Sequence, residues 1–199
     1  MFGYVTDQQK DHMCGAVMAG GTPMLEKTLT AETVHAVLLD MIQADRGDAR
    51  RIHHFLKVYA LAGAIAAAEH MEEQARLTLE LAAILHDVGI HASEAKYSSA
   101  AGRYQELEGP PLARKMLERY ELPEPIVERV CTLIGRHHTY TDVDGLDCRI
   151  LLEADFLVNM EEEQMKPAQI ASARQVVFQT ETGLKLLEDM FPGEVVKES

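Results

Sequence analysis

Four places along the chain put an imidazole or a carboxylate on what the spacing makes an apolar helical face. His54 shares a stripe with Val58, Leu61 and Ile65, at offsets of four, seven and eleven, whereas His53 lines up with Lys57, Ala60 and Ala64. Residues three, four and seven apart share a helix face, so His54 points inward and His53 towards solvent. His86-Asp87 closes the run Leu79-Glu80-Leu81-Ala82-Ala83-Ile84-Leu85, which is apolar almost all round. His137 follows Val130, Leu133 and Ile134 on their stripe, and His138 follows Ile134 by four and Cys131 by seven. Asp155 is aligned with Leu151, Leu152 and Val158, while Glu153 lines up with Arg149 on the polar side.

Taken one at a time, each has a plain structural explanation. An inward histidine can be a hydrogen-bonded core residue, and a His-Asp pair can cap a helix. A carboxylate on an apolar face is different, because burial is costly unless it is paired or coordinates a cation. No Lys or Arg falls on the face of Asp155, so a metal ion is the economical partner. Imidazole and carboxylate together suit divalent Mn, Fe, Co, Ni, Zn or Mg, and helical bundles build such sites from facing helices.

The elements that must position these groups all read as helices. Val34, Val37, Leu38, Met41 and Ile42 mark a helix that begins near Thr30. A second runs from about Ala49 to His70, and its Ala-rich second half suits close packing within the chain or across a homodimer. A third, from Glu73 to about Val88, is apolar enough to be central, with Gly89 as its stop. His91 to Glu108 reads as a polar surface loop or short helix, and Gly109-Pro110-Pro111 as the start of the next helix. Further helices are expected from Pro125 to about Thr139, from Leu146 to about Glu163, and from Ala168 to about Met190, the last broken near Thr182-Gly183. With no alternating runs and no repeat, the expected fold is an all-α, single-domain bundle over residues 28–199, preceded by a loose arm, 1–27.

Composition sets the outer limits. The 199 residues are 47% hydrophobic and carry a net charge of −13, which fits one soluble domain and disfavours a duplex nucleic-acid binder, since phosphate backbones need a basic face. Cys14, Cys131 and Cys148 form no Cys-x-x-Cys pair, which fits a reducing, cytoplasmic setting. No uncharged apolar run reaches the length of a membrane span.

The order His54, His86-Asp87, Asp155 resembles that of the HD-domain metal-dependent phosphohydrolase superfamily, all-α proteins named for the His-Asp pair. The segments His54-Phe-Leu-Lys-Val58, Ala82-Ala-Ile-Leu-His-Asp-Val-Gly89, Ile134-Gly-Arg-His-His138 and Glu153-Ala-Asp155 look like its landmarks, over roughly residues 50–160. The resemblance implies one divalent ion on His54, His86, Asp87 and Asp155, and hydrolysis of a phosphoester in a nucleotide or other small phosphorylated metabolite. Two-metal members carry another histidine where this chain has Gln105, four before Gly109. Glu106 or Glu108 could substitute there, with His137 and His138 completing a second metal or substrate site. The cyclic-dinucleotide branch carries Lys where Ile90 stands.

For the reaction, Asp87 is the expected group to orient water or take its proton. His91, Glu94 and Lys96 are candidates for protonating the leaving group and binding phosphate, and Arg51 and Arg103 for phosphate. Two rival readings are a di-iron oxygenase of the same fold and a non-catalytic module that senses a nucleotide or metal.

Overall fold

Nine consecutive residues, Leu77–Leu85, are all buried, so over that stretch no face of the helix that carries them meets water. That helix is the centre of the molecule. The structure is a computed structural model that describes residues 28–193. Among the described residues there are nine α-helices and no strand: α1 (Ala31–Ala44), α2 (Ala49–Ala68), α3 (Glu73–Leu85), α4 (Ile90–Tyr97), α5 (Gly102–Leu117), α6 (Glu124–Ile134), α7 (Gly145–Glu162), α8 (Pro167–Val176) and α9 (Glu181–Met190). α3 packs against α1, α2, α6 and α7, while α2 also lies along α7 and α5 bridges α4 to α6. The fold is all-α and a single domain. The segment expected as a loose arm, 1–27, lies outside the described residues, and none of the described helices is long and apolar enough to cross a membrane.

Side-chain caps set several helix starts. Thr30 accepts from the Thr33 amide, Asp48 from Arg51 and Thr180 from Gly183, each satisfying an amide the helix itself cannot. On α2 the apolar stripe is buried as its period requires, with Val58, Ala62, Ile65 and Ala66 fully inside, while Ala60, Ala64, Ala67 and Ala68 are exposed.

Four expectations need correction. α3 stops at Leu85, three residues short of Val88, so His86 and Asp87 stand in the turn that follows it. Of the two alternatives for 91–108, the short helix is present as α4, but the stretch then opens α5 instead of ending at a surface loop, and Pro110 and Pro111 lie inside α5 rather than at its start. Proline removes a ladder bond from the helix interior, but α5 is held on both sides by α4 and α6. The break near the C-terminus falls at residues 177–180 instead of Thr182-Gly183. Its cause is Glu153, read from the sequence as a polar-face residue but fully buried. Its carboxylate accepts from the amides of Gln179 and Thr180 at 2.7 and 2.9 Å and from the Thr180 hydroxyl at 2.5 Å, which holds the chain out of helix there.

Candidate metal centre

α2, the turn after α3, and the middle of α7 converge beside the core. His54 Nε2 lies 3.2 Å from His86 Nε2, 3.3 Å from Asp155 Oδ1 and 3.6 Å from Asp87 Oδ2. His86 Nε2 lies 3.6 Å from both of those carboxylate oxygens. A cation bound at about 2.1 Å by nitrogen and oxygen holds neighbouring ligand atoms roughly 3.0–3.5 Å apart, so the spacing suits one ion.

Each imidazole is locked with Nε2 facing in. His86 Nδ1 donates to the Ala83 carbonyl at 2.8 Å and His137 Nδ1 to the Ile134 carbonyl at 2.7 Å. Both histidines follow a helix end and use a carbonyl the helix leaves free. His54 Nδ1 donates to Glu162 Oε2 at 3.1 Å, and Lys57 binds the other oxygen of Glu162 at 2.7 Å. With the hydrogen on Nδ1, Nε2 of a neutral ring keeps its lone pair for a ligand, the arrangement metal-binding histidines use. Asp155 is oriented in turn by Asn159 Nδ2 at 2.9 Å. Sequence reasoning misses Asn159 and Glu162, although they follow Asp155 at helical spacing, four and seven residues on.

The electrostatics demand positive charge. Burial opposes charge on His54, yet the carboxylates of Asp155, Asp87 and Glu162 outweigh it and lift its pKa to about 9. Burial also opposes ionisation of Asp87 and Asp155, but the surrounding imidazoles hold both carboxyls below the usual range. His86, in the deepest position, is pushed down by burial. The centre therefore holds two carboxylates that favour either a proton or a cation between them.

Asp87 serves two groups at once. Its Oδ2 faces His54 and His86, while its Oδ1 lies 3.5 Å from His137 Nε2. Two sets of donor atoms could accordingly hold an ion: His54, His86 and Asp87, and Asp87, His137 and His138, each within 4.8 Å. His137 Nε2 is buried without a hydrogen-bond partner, which is what a cation or a ligand would remedy. Burial, and then the charge of His137, pushes His138 down to about 4. Glu106 takes no part, because it is spent on the His138 amide and the Thr139 hydroxyl.

A cavity of about 460 Å³ opens over this centre, lined by His54, Asp87, His138 and Asp155 and by Arg50, Arg51, Glu94 and Gln105 among others. That is within the usual range for small-molecule pockets. Arg51 lines it as expected, but its guanidinium is committed to Glu94 at 2.7 Å, His91 Nδ1 at 2.8 Å and Asp48 at 3.3 Å. Arg50, which the sequence did not single out, is exposed in the same cavity with no partner among the described residues. His91 and Glu94 serve as braces for Arg51, with His91 Nε2 donating to buried Asp45 at 3.1 Å. Lys96, Glu108 and Arg103 stand apart from the cavity. Lys96 and Glu108 pair with each other at 2.7 Å, Tyr97 also donating to Glu108, and Arg103 packs on Tyr104; none of the three lines the cavity. An ion pair between α4 and α5 commits Lys96 and Glu108, and Arg103 donates to the Tyr104 hydroxyl.

The family model of the HD domain matches residues 51–170, more than half the chain. Among solved structures, the chain is similar to the crystal structure of a protein described as a "predicted HD superfamily hydrolase", from an uncultured Thermotogales bacterium. The identity is 23%, over 84% of this chain and 88% of that one, with a TM-score of 0.56, a likeness of fold. No curated protein matches.

Proposed function

Because this chain belongs to the HD-domain family, we propose that it is a metal-dependent phosphohydrolase acting on a small phosphorylated metabolite. The observation that carries the reading is the pair of His54 Nε2 and His86 Nε2, 3.2 Å apart and each 3.3–3.6 Å from Asp87 Oδ2 and Asp155 Oδ1, at the floor of a cavity. These four residues are the proposed holders of a divalent ion, one of Mn, Fe, Co, Ni, Zn and Mg. When bound, such an ion lowers the pKa of water and polarises a phosphoryl oxygen. Arg50 takes the remaining phosphate oxygens with its free guanidinium. Asp87 Oδ1, turned away from His54 and His86 and ionised, accepts the proton of the attacking water. The water oxygen bonds phosphorus, the ester P–O bond breaks, and the departing oxygen takes a proton from solvent to leave as the alcohol, while Asp87 returns its proton to solvent.

A second reading is favoured by the orphaned Nε2 of His137 and the second donor set, Asp87, His137 and His138. Two ions could then share Asp87, the stoichiometry that di-iron oxygenase chemistry would need. Elemental analysis after aerobic and anaerobic purification separates one equivalent from two. The test of the main reading is phosphate release from a panel of phosphoesters, nucleotides included, with each of the six metals. Activity with at least one metal, abolished in Asp87→Ala with the helical fold intact, supports it. No release with any metal, or full turnover in Asp87→Ala, overturns it.

A further inference from the structure

Buried polar atoms without partners are few in folded proteins, and each calls for a reason. Two belong to residues that line the cavity just described: Gln105 Oε1 and His138 Nε2. Gln105 is only 6% exposed. Its Nε2 donates to the Ala100 carbonyl at 2.7 Å; a carbonyl can only accept, so the orientation of the amide is fixed and Oε1 is the free end. His138 is equally held. Its amide is bound by Glu106 at 3.0 Å, and α5 lies so close that a Cβ on Gly102 would fall 2.5 Å from its ring. Neither atom can swing away to find a partner.

An acceptor of this kind needs a hydrogen to be brought to it. The described lining around it holds no Phe, Tyr or Trp on which a base could stack, only the imidazoles of the centre itself; its apolar members are Ile90 and Ala100. The donor atoms of His138, His137 and Asp87 lie within 4.8 Å of one another, so whatever touches His138 lies beside the reacting centre.

Resting on the phosphohydrolase reading, we propose that Gln105 Oε1 and His138 Nε2 form a subsite for a hydroxyl on the carbon next to the ester carbon. The hydroxyl donates to Gln105 and lies against His138. The substrate class this selects is the phosphomonoester of a polyol or sugar. A site built to hydrogen-bond a hydroxyl discriminates strongly against the analogue that lacks it, because its own polar atom is then left stranded.

The experiment compares two non-hydrolysable probes, the phosphonate isostere of glycerol phosphate and butylphosphonate, which lacks both hydroxyls. Calorimetry on the Mn-loaded full chain is expected to show the hydroxylated probe binding about tenfold to hundredfold tighter. In Gln105→Met, or Gln105→Leu should that variant not fold, the hydroxylated probe falls to the level of butylphosphonate. Equal affinities in the wild-type protein, no binding of either probe, or a preference that survives the substitution would overturn the subsite. So would loss of a metal equivalent in Gln105→Met, which would make Gln105 a ligand. Phosphate release from glycerol phosphate and propyl phosphate is measured alongside. A phosphonate preference without any release keeps the subsite and overturns the hydrolase reading. Release from both esters at equal kcat/KM does the reverse.

Discussion

Glu162 and His54 are joined across the α2–α7 interface by a 3.1 Å hydrogen bond, with Lys57 holding the other carboxylate oxygen at 2.7 Å. The bond fixes which nitrogen of His54 carries hydrogen and turns Nε2 towards Asp155. Carboxylates in this position raise the basicity of a metal-binding histidine. Glu162→Ala should weaken metal binding by about 10–100-fold, read by competition with a chromophoric chelator, with the circular dichroism of the metal-free protein retained. Unchanged affinity would show that Glu162 does not orient His54.

Proton and cation compete for the same place. His54 has its pKa lifted from 6.5 to about 9, so at neutral pH an ion must displace its proton. Metal affinity should therefore rise with pH and level off above about 9, with close to one proton released per ion near pH 7.5. Calorimetry in buffers of different ionisation enthalpy measures that release. The sign for stability is opposite in the metal-free protein: the charged His54 contributes fully below pH 6.5, and the contribution is lost as pH rises through about 9. A thermal-melt series with and without metal should show the two trends diverging.

Arg50 and Arg51 should separate function from support. Arg50→Ala removes a free guanidinium and should raise KM for a phosphoester about 10–100-fold, the scale of a charge-assisted hydrogen bond, with little change in Tm. Arg51→Ala unties Glu94, Asp48 and His91, so its effect should include a loss of stability, within about 1 kcal/mol for partly exposed pairs. Equal KM effects without any Tm difference would contradict the division.

A methyl group on Gly183 would fall 2.1 Å from the Glu153 carboxylate. Glu153 cannot retreat without stranding the amides of Gln179 and Thr180. Gly183→Ala should therefore lower Tm by roughly 3–10 °C, the range for overpacking a domain of this size, while metal content per folded molecule stays the same. A Tm within 1 °C of the wild type, roughly the noise of such a shift, would mean that the carboxylate moves freely.

The inward placement of His54 and His137 was legible because each continues a one-sided apolar stripe, and that of His86 because it closes a run apolar almost all round. Glu153 was not, because α7 is buried on almost every side and periodicity has no polar face to set against it. Glu162 carries the same spacing from Asp155 as a core residue would, but a carboxylate near a helix end reads as solvated until its partner on α2 is seen. Arg50 and Arg51 are indistinguishable in sequence; only the positions of Glu94, His91 and Asp48 decide which guanidinium is free. Pro110-Pro111 imitates a helix start, and nothing local says that α4 and α6 will hold the helix through it.

Gly89 and Gly109 meet with no side chain between them: a Cβ on Gly89 would lie 2.6 Å from the Gly109 nitrogen and 2.9 Å from the Gln105 carbonyl. The His86-Asp87 turn and the α5 wall are thus pressed together backbone to backbone, without a compliant layer of side chains to take up movement. Along this contact a chain so built can change what its pocket recognises by exchanging the groups that α5 displays, Gln105 among them, and not by shifting α5 against the turn. The frame stays rigid, and diversification of the substrate is left to single side chains.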